Sequence, residues 1–255
     1  MKLRKILFLA AAIIICVTQH ASAQKKDSIQ TKNYKNVIRY NVSSGALFGI
    51  NKCIIFGYER VVNPHQSFSV NIGSNSLPGS FSLSNDSISL TNTKSSKGFN
   101  FSVDYRFYLS KENRYDAPHG VYIGPYYSYN HYKKDNSWNY QQSGGSSAQL
   151  VNTDIDLSIH SVGVELGYQF VLWKRVTLDM VLIGPGISAY KMTADIQSNL
   201  TDAQKQKLRD VLVQLVSQKF PGLNYVLADQ HLSSSGSFST TSFGFRYLIH
   251  VGFRF

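Results

Sequence analysis

The last thirteen residues of the chain, FGFRYLIHVGFRF (Phe243–Phe255), have two unlike faces. Phe243, Phe245, Tyr247, Ile249, Val251, Phe253 and Phe255 share one. Gly244, Arg246, His250, Gly252 and Arg254 share the other, and Leu248 alone breaks the polar series. A period of two is the pattern of a β-strand with one apolar and one polar side. It recurs along the chain. GFNFSVDYRFYL (Gly98–Leu109) sets Phe99, Phe101, Val103, Tyr105, Phe107 and Leu109 against Asn100, Ser102, Asp104 and Arg106. SFSVNIG, from Ser67, and SVGVELGYQF, from Ser161, do the same, the latter with Glu165 and Gln169 on its polar side. Four less regular segments, Val37–Phe48, Cys53–Val62, Val121–Tyr132 and Val176–Tyr190, join Thr240–Phe255 to bring the strands to eight.

The connections alternate in length. NPHQ (Asn63–Gln66) and WKR (Trp173–Arg175) are tight turns, and SKENRYDAPHG (Ser110–Gly120) is compact and charged. Ser74–Lys97, Lys133–Asp154 and Lys191–Gly236 are long, with GINK (Gly49–Lys52) a short exception on their side. Short turns at one end and long loops at the other characterise transmembrane barrels, the short end being periplasmic. An even strand number returns both termini to that end. The expected fold is all-β: an eight-stranded antiparallel transmembrane β-barrel with one amphipathic helix in its last extracellular loop.

The apolar face decides between membrane and water. It carries Phe99, Phe101, Tyr105, Phe107, Tyr127, Tyr129, Tyr168, Phe170, Tyr247 and Phe253. The interior of an eight-stranded barrel just accommodates ordinary side chains, so this aromatic bulk is expected outside, against lipid. The opposite face then lines the lumen with Arg39, Arg106, Arg246 and Arg254 and with Glu59, Asp104, Glu165 and Asp179. Charges confined in so narrow a space must pair, since burying one alone costs several kcal/mol. The balanced set reads as a plug of salt bridges, with Arg106, Arg246, Glu59 and Glu165 pairing across the lumen. An open ion path is not expected.

The N-terminus reads as an export leader, residues 1–23. Lys2, Arg4 and Lys5 precede the apolar run Ile6–Val17, and ASA (Ala21–Ala23) supplies the small residues of a cleavage site. The run is too short to span a bilayer, which takes about 20 apolar residues. Residues 24–36 read as a polar periplasmic segment and 37–255 as the barrel. Beyond the leader only Cys53 remains, so no intramolecular disulfide is expected. The formal charge of +11 falls to +8 without the leader's three cations. In an exported protein that excess meets anionic lipid or surface polysaccharide, not nucleic acid.

One loop holds a helix. TDAQ (Thr201–Gln204) is a capping box, and Leu208, Val211, Leu212, Leu215 and Val216 follow at helical spacing before Pro221-Gly222. Lys205, Lys207, Arg209 and Lys219 make its other side basic. The apolar stripe is expected on the barrel rim or other loops, with Lys205, Lys207 and Arg209 turned outward. No HExxH, paired CxxC, P-loop or dinucleotide-binding glycine motif occurs, and neither metal nor cofactor is expected. SIHS places Ser158 and His160 on one strand face. A hydrolase would need a carboxylate to orient the histidine; Glu165 is on the wrong face, while Asp154 and Asp156 have the right parity. No enzyme is expected. The alternatives are an outer-membrane lipid-modifying hydrolase and a soluble exported lipocalin-like carrier.

With its leader, its eight alternating segments, GYERVV (Gly57–Val62) followed by NPHQSFSV, and a terminal VGFRF, the chain resembles small outer-membrane β-barrel proteins. These are like the membrane domain of outer-membrane protein A and its short relatives. FGYERVVNPHQSFSVNIG is similar to uncharacterised barrels of the Bacteroidota type. The resemblance implies residence in the outer membrane of a Gram-negative bacterium with periplasmic termini. It also implies that Val251, Phe253 and Phe255 form an assembly signal read by the barrel-insertion machinery, although glycine stands at Gly252 and His250 occupies the place five residues from the end.

Overall fold

The computed structural model describes residues 34–48, 52–76, 84–85, 88–141, 148–197, 201–203, 205–206, 210 and 236–255. The expected leader and most of the loop helix, including Lys207, Arg209 and the stripe from Leu208 to Val216, lie outside them.

The described chain is an eight-stranded antiparallel β-barrel. In order it forms β1 (Asn36–Asn41), helix α1 (Val42–Phe48), β2 (Ile54–Asn63), β3 (Gln66–Ser74), β4 (Ile88–Tyr108), β5 (Gly120–Gln141), β6 (Ala148–Leu172), β7 (Val176–Gln197) and β8 (Ser237–Arg254). Ser84–Asn85 folds back on the start of β4. Each strand pairs with the next, and β8 returns to pair antiparallel with β1, so the sheet closes on itself. Closure is needed because an open strand edge would leave a row of amides and carbonyls unpaired. At the seam Ile38 lies opposite Phe253 and Tyr40 opposite Val251. The Asn36 amide donates to the Phe255 carbonyl at 3.2 Å. Between β6 and β7, Trp173 and Lys174 both have positive φ (47° and 68°), as a two-residue turn matched to strand twist requires.

Two features differ from the sequence expectation. First, the segment Val37–Phe48 is not one strand. Asn41 accepts hydrogen bonds through its side-chain oxygen from the Ser44 amide (3.0 Å) and the Ser43 hydroxyl (2.8 Å). That is an N-cap, and it turns the chain into α1. Beyond β1 the edge of β8 has lost its strand partner, and the Ser43 hydroxyl accepts from the Ile249 amide at 3.2 Å instead.

Second, strand extends into all three long connections, through 88–97, 133–141, 148–154 and 191–197. The strands β4 to β7 have 21, 22, 25 and 22 residues, about twice what a membrane crossing takes. Their polarity inverts part-way. Nearer the termini the outer face is apolar: Phe56, Val162, Ile187 and Phe245 are each 54–60% exposed. The inner face there is charged. In the distal half the inner face buries Tyr132, Val151, Ile155, Leu157, Met192, Ala194 and Ile196, with Lys134, Asn136 and Thr153 as polar members. The outer face there carries Lys133, Asp154, Asp156, Lys191, Thr193 and Asp195. The distal half is therefore built like a water-soluble sheet and the proximal half like its opposite.

Within β7 a bulge between Val181 and Gly184 shifts the register, so that Leu182 and Ile183 both face out, 49% and 38% exposed. It keeps Asp179 below and Gly184 above on the inner face.

The closing seam is directly testable. Cysteines placed at Ile38 and Phe253 in a Cys53→Ser background sit directly opposite, in the distance range of a disulfide. Oxidation is expected to link the first strand to the last in the folded protein only, read as a mobility shift on non-reducing gels.

Candidate functional site: an ion cluster in the lumen

Four carboxylates meet three guanidinium groups inside the proximal half of the barrel. Arg39 is delivered by β1, Glu59 by β2, Asp104 and Arg106 by β4, Glu165 by β6, Asp179 by β7 and Arg246 by β8. The alternation of each strand aims them inward. All but Arg246 have side chains no more than 1% exposed, and that of Arg246 is 11% exposed.

Asp179 is the hub. Arg39 donates to it through Nη1 at 3.0 Å and the Tyr122 hydroxyl donates at 2.7 Å, while Arg106 Nη2 forms an ion pair with it at 2.9 Å. His250 Nδ1 lies 3.2 Å away. Asp104 is held by Arg106 Nε at 2.6 Å and by Arg39 at 3.3 Å, with the Ser69 hydroxyl donating as well. Glu59 accepts from Ser67 (2.6 Å) and from Gln169 Nε2 (3.0 Å). The Tyr108 hydroxyl sits between Gln169 Oε1 (2.6 Å) and Glu59 Oε1 (3.0 Å). Such charge-assisted bonds inside a low-dielectric space are stronger than their surface counterparts. Glu165 differs: its oxygens lie 3.4 Å from Arg246 and 3.8 Å from Arg106, ion-pair distances without a hydrogen bond.

Aromatic rings fill the space between the charges. The Arg106 guanidinium lies 4.4 Å from the Tyr122 ring centre and that of Arg246 4.5 Å from Tyr126, both cation–π distances. The inner glycines make room for these rings. A Cβ on Gly167 would stand 2.4 Å from Tyr122 Cζ, and one on Gly186 would stand 2.5 Å from the Tyr126 hydroxyl.

The structure thus brings together seven of the eight predicted luminal charges. The exception is Arg254, which stands at the proximal mouth and donates to the Tyr34 carbonyl at 3.1 Å, with no ion pair to a carboxylate among the described residues. Parity places it on the inner face, but at the last position of its strand. His250, on the same strand, stands beside Asp179 instead. Tyr108, Tyr122 and Gln169 were missed because only charges were sought on the inward face; their inward parity was available. Val251, Phe253 and Phe255 face outward, 43–47% exposed. Lys205 begins a helical turn, its amide bonded to the Thr201 carbonyl at 2.9 Å, and is partly buried. In SIHS, His160 Nδ1 lies 2.9 Å from the Tyr127 hydroxyl, and Asp156 is held by His131 at 2.9 Å. Among the described residues no group of His, Cys, Asp and Glu has the geometry to hold a metal.

Removing one partner from this cluster strands buried charge. Arg106→Met is expected to destabilise the barrel by about 3–5 kcal/mol. Glu165→Gln should cost clearly less, because its contacts are the longest. Urea midpoints of the two variants, read from band shifts of the folded form, check the order.

No curated protein matches the chain. Among solved structures it is similar to a major outer membrane protein from Thermus thermophilus, at 8% identity and a TM-score of 0.33, over 86% of this chain and 98% of that one. A family model does match, over residues 9–211, and its family is described only as protein of unknown function, DUF3575. The chain belongs to the DUF3575 family.

Proposed function

We propose that the chain is an integral outer-membrane β-barrel with a structural or surface-interaction role, its lumen closed by the ion cluster. The observation that carries this is the pairing of an apolar exterior with a charged interior over one band of the barrel. In water that arrangement would expose ring after ring of aromatic surface while burying seven ionised side chains. In lipid each face meets its proper surroundings.

The band has the right height. On β8 it runs from Phe243 to Phe253. About ten residues of a strand tilted by about 40° rise roughly 25 Å, which is the apolar height of outer-membrane barrels. Trp173, 84% exposed in the turn at the proximal end, stands where interfacial aromatics collect. The outer membrane is favoured by the expected leader and by the outward series Val251, Phe253 and Phe255 offered to insertion machinery. Both ends of the described barrel then lie on the periplasmic side, with the distal halves of β4 to β7 standing outside the cell. A soluble carrier would need an apolar lumen at the level where Arg39 and Arg106 lie.

Refolded into vesicles, the protein should migrate faster on unboiled than on boiled gels. Planar-bilayer recording should show no large steady conductance; a stable open pore would overturn the closed lumen. Val164→Arg, in the middle of the band, should cost about 2–4 kcal/mol, measured by the denaturant needed to unfold the barrel from lipid.

A further inference from the structure

Lys97 on β4 and Lys133 on β5 stand directly opposite each other on the outer face. Like charges facing across a strand pair repel. Asp156 is directly opposite Lys133 on the next strand, yet it is taken by His131 Nε2 at 2.9 Å. Two residues nearer the apolar band, Ser158 lies between His131 on β5 and Lys191 on β7. Lys97, Lys133 and Lys191 are all exposed, and none forms an ion pair among the described residues. An acidic row, Asp135, Asp154 and Asp195, lies one rung farther out. There burial and Asp135 hold the Asp154 carboxyl above its ordinary range against the opposing pull of Lys133. Lys97 and Lys133 on one rung, and Lys191 on the next rung toward the band, thus form a positive patch between the acidic row and the apolar band.

We propose that this lysine patch binds the phosphate of an anionic lipid in the surrounding leaflet. The inference rests on the membrane reading above. It adds the ligand's chemistry and its place. The lysines sit where the outer face changes from apolar to polar, the level of lipid headgroups. Phe99 lies directly below Lys97, and below the His131, His160 and Ala189 positions Tyr129, Val162 and Ile187 continue the apolar surface, on which acyl chains lie. A phosphate between Lys97 and Lys133 turns a repulsive pair into two charge-assisted contacts, with the Ser158 hydroxyl and Lys191 within the same patch. Soluble phosphate would find the charge without the apolar floor.

The test uses the full barrel, purified in detergent and shown to be folded by its gel shift. It is incubated with dioleoyl phosphatidic acid or dioleoyl phosphatidylcholine and analysed by native mass spectrometry. Phosphatidic acid should be retained in preference. The triple variant Lys97→Gln, Lys133→Gln, Lys191→Gln should lose that retention by roughly tenfold or more, while Lys52→Gln with Lys111→Gln, elsewhere on the surface, should not. Lys133→Gln alone should weaken retention and serves if the triple variant does not assemble. Millimolar inorganic phosphate should fail to displace the lipid. Equal retention of both lipids by a folded barrel, undiminished retention by the lysine variants, or full displacement by inorganic phosphate would each overturn the proposal. A wild-type protein without a gel shift would instead overturn the membrane reading beneath it.

Discussion

Asp179 ties five strands together. Its own strand, β7, is linked through it to Arg39 on β1, Arg106 on β4, Tyr122 on β5 and His250 on β8. No backbone hydrogen bond reaches across a barrel; only side chains do. An eight-stranded ring has space for few of them, so what occupies the centre fixes the rest. Ionised groups there must be paired, which calls for residues of both signs at matching heights. Large rings beside them call for glycine at Gly167 and Gly186. With the polar residues committed to the inside, the alternating positions are left to Phe, Tyr, Val and Ile, and the outside becomes apolar. Interior charge and exterior lipid surface are two consequences of one alternation.

The same rule, applied in the other medium, explains the distal half. There the strands keep their alternation and reverse its sense. Tyr132, Leu157 and Met192 turn in, while Lys133, Asp156 and Lys191 turn out. The sheet has passed from a surrounding that solvates apolar groups to one that solvates charge. The opposed lysines Lys97 and Lys133 stand on the outer face beside this reversal.

The proximal half was legible in the sequence because each strand keeps one phase there. Val162, Val164 and Leu166 are all outward, and Glu165 and Gln169 inward, as parity alone says. The distal half was not, because the reversal appears as a slip. On β6 the apolar residues Val151, Ile155, Leu157 and Ile159 hold odd positions, then Val162 and Val164 hold even ones. A slip of phase reads as the end of a strand, so these stretches were taken for loops. The bulge at Leu182–Ile183 adds a second slip on β7. At β1 the reading erred the other way: the Asn41 cap is a single side chain inside a segment otherwise fit for a strand. Within the ion cluster, the charges were legible by parity. That Tyr122 and His250 meet Asp179 is not legible in the same way, since pairing across a lumen depends on strand height, which only the register supplies.

The orientation of the proximal faces is the central claim, and quenching of single tryptophans by lipids with brominated acyl chains tests it most directly. In a background with Trp138 and Trp173 replaced by phenylalanine, one tryptophan is placed at Phe101 or Phe245, and in separate proteins at Ser102 or Ser128. Strong quenching at Phe101 and Phe245 with little at Ser102 and Ser128, in variants that retain the gel shift, is the result the account predicts. Equal quenching at all four, or quenching confined to the serine positions, would contradict it.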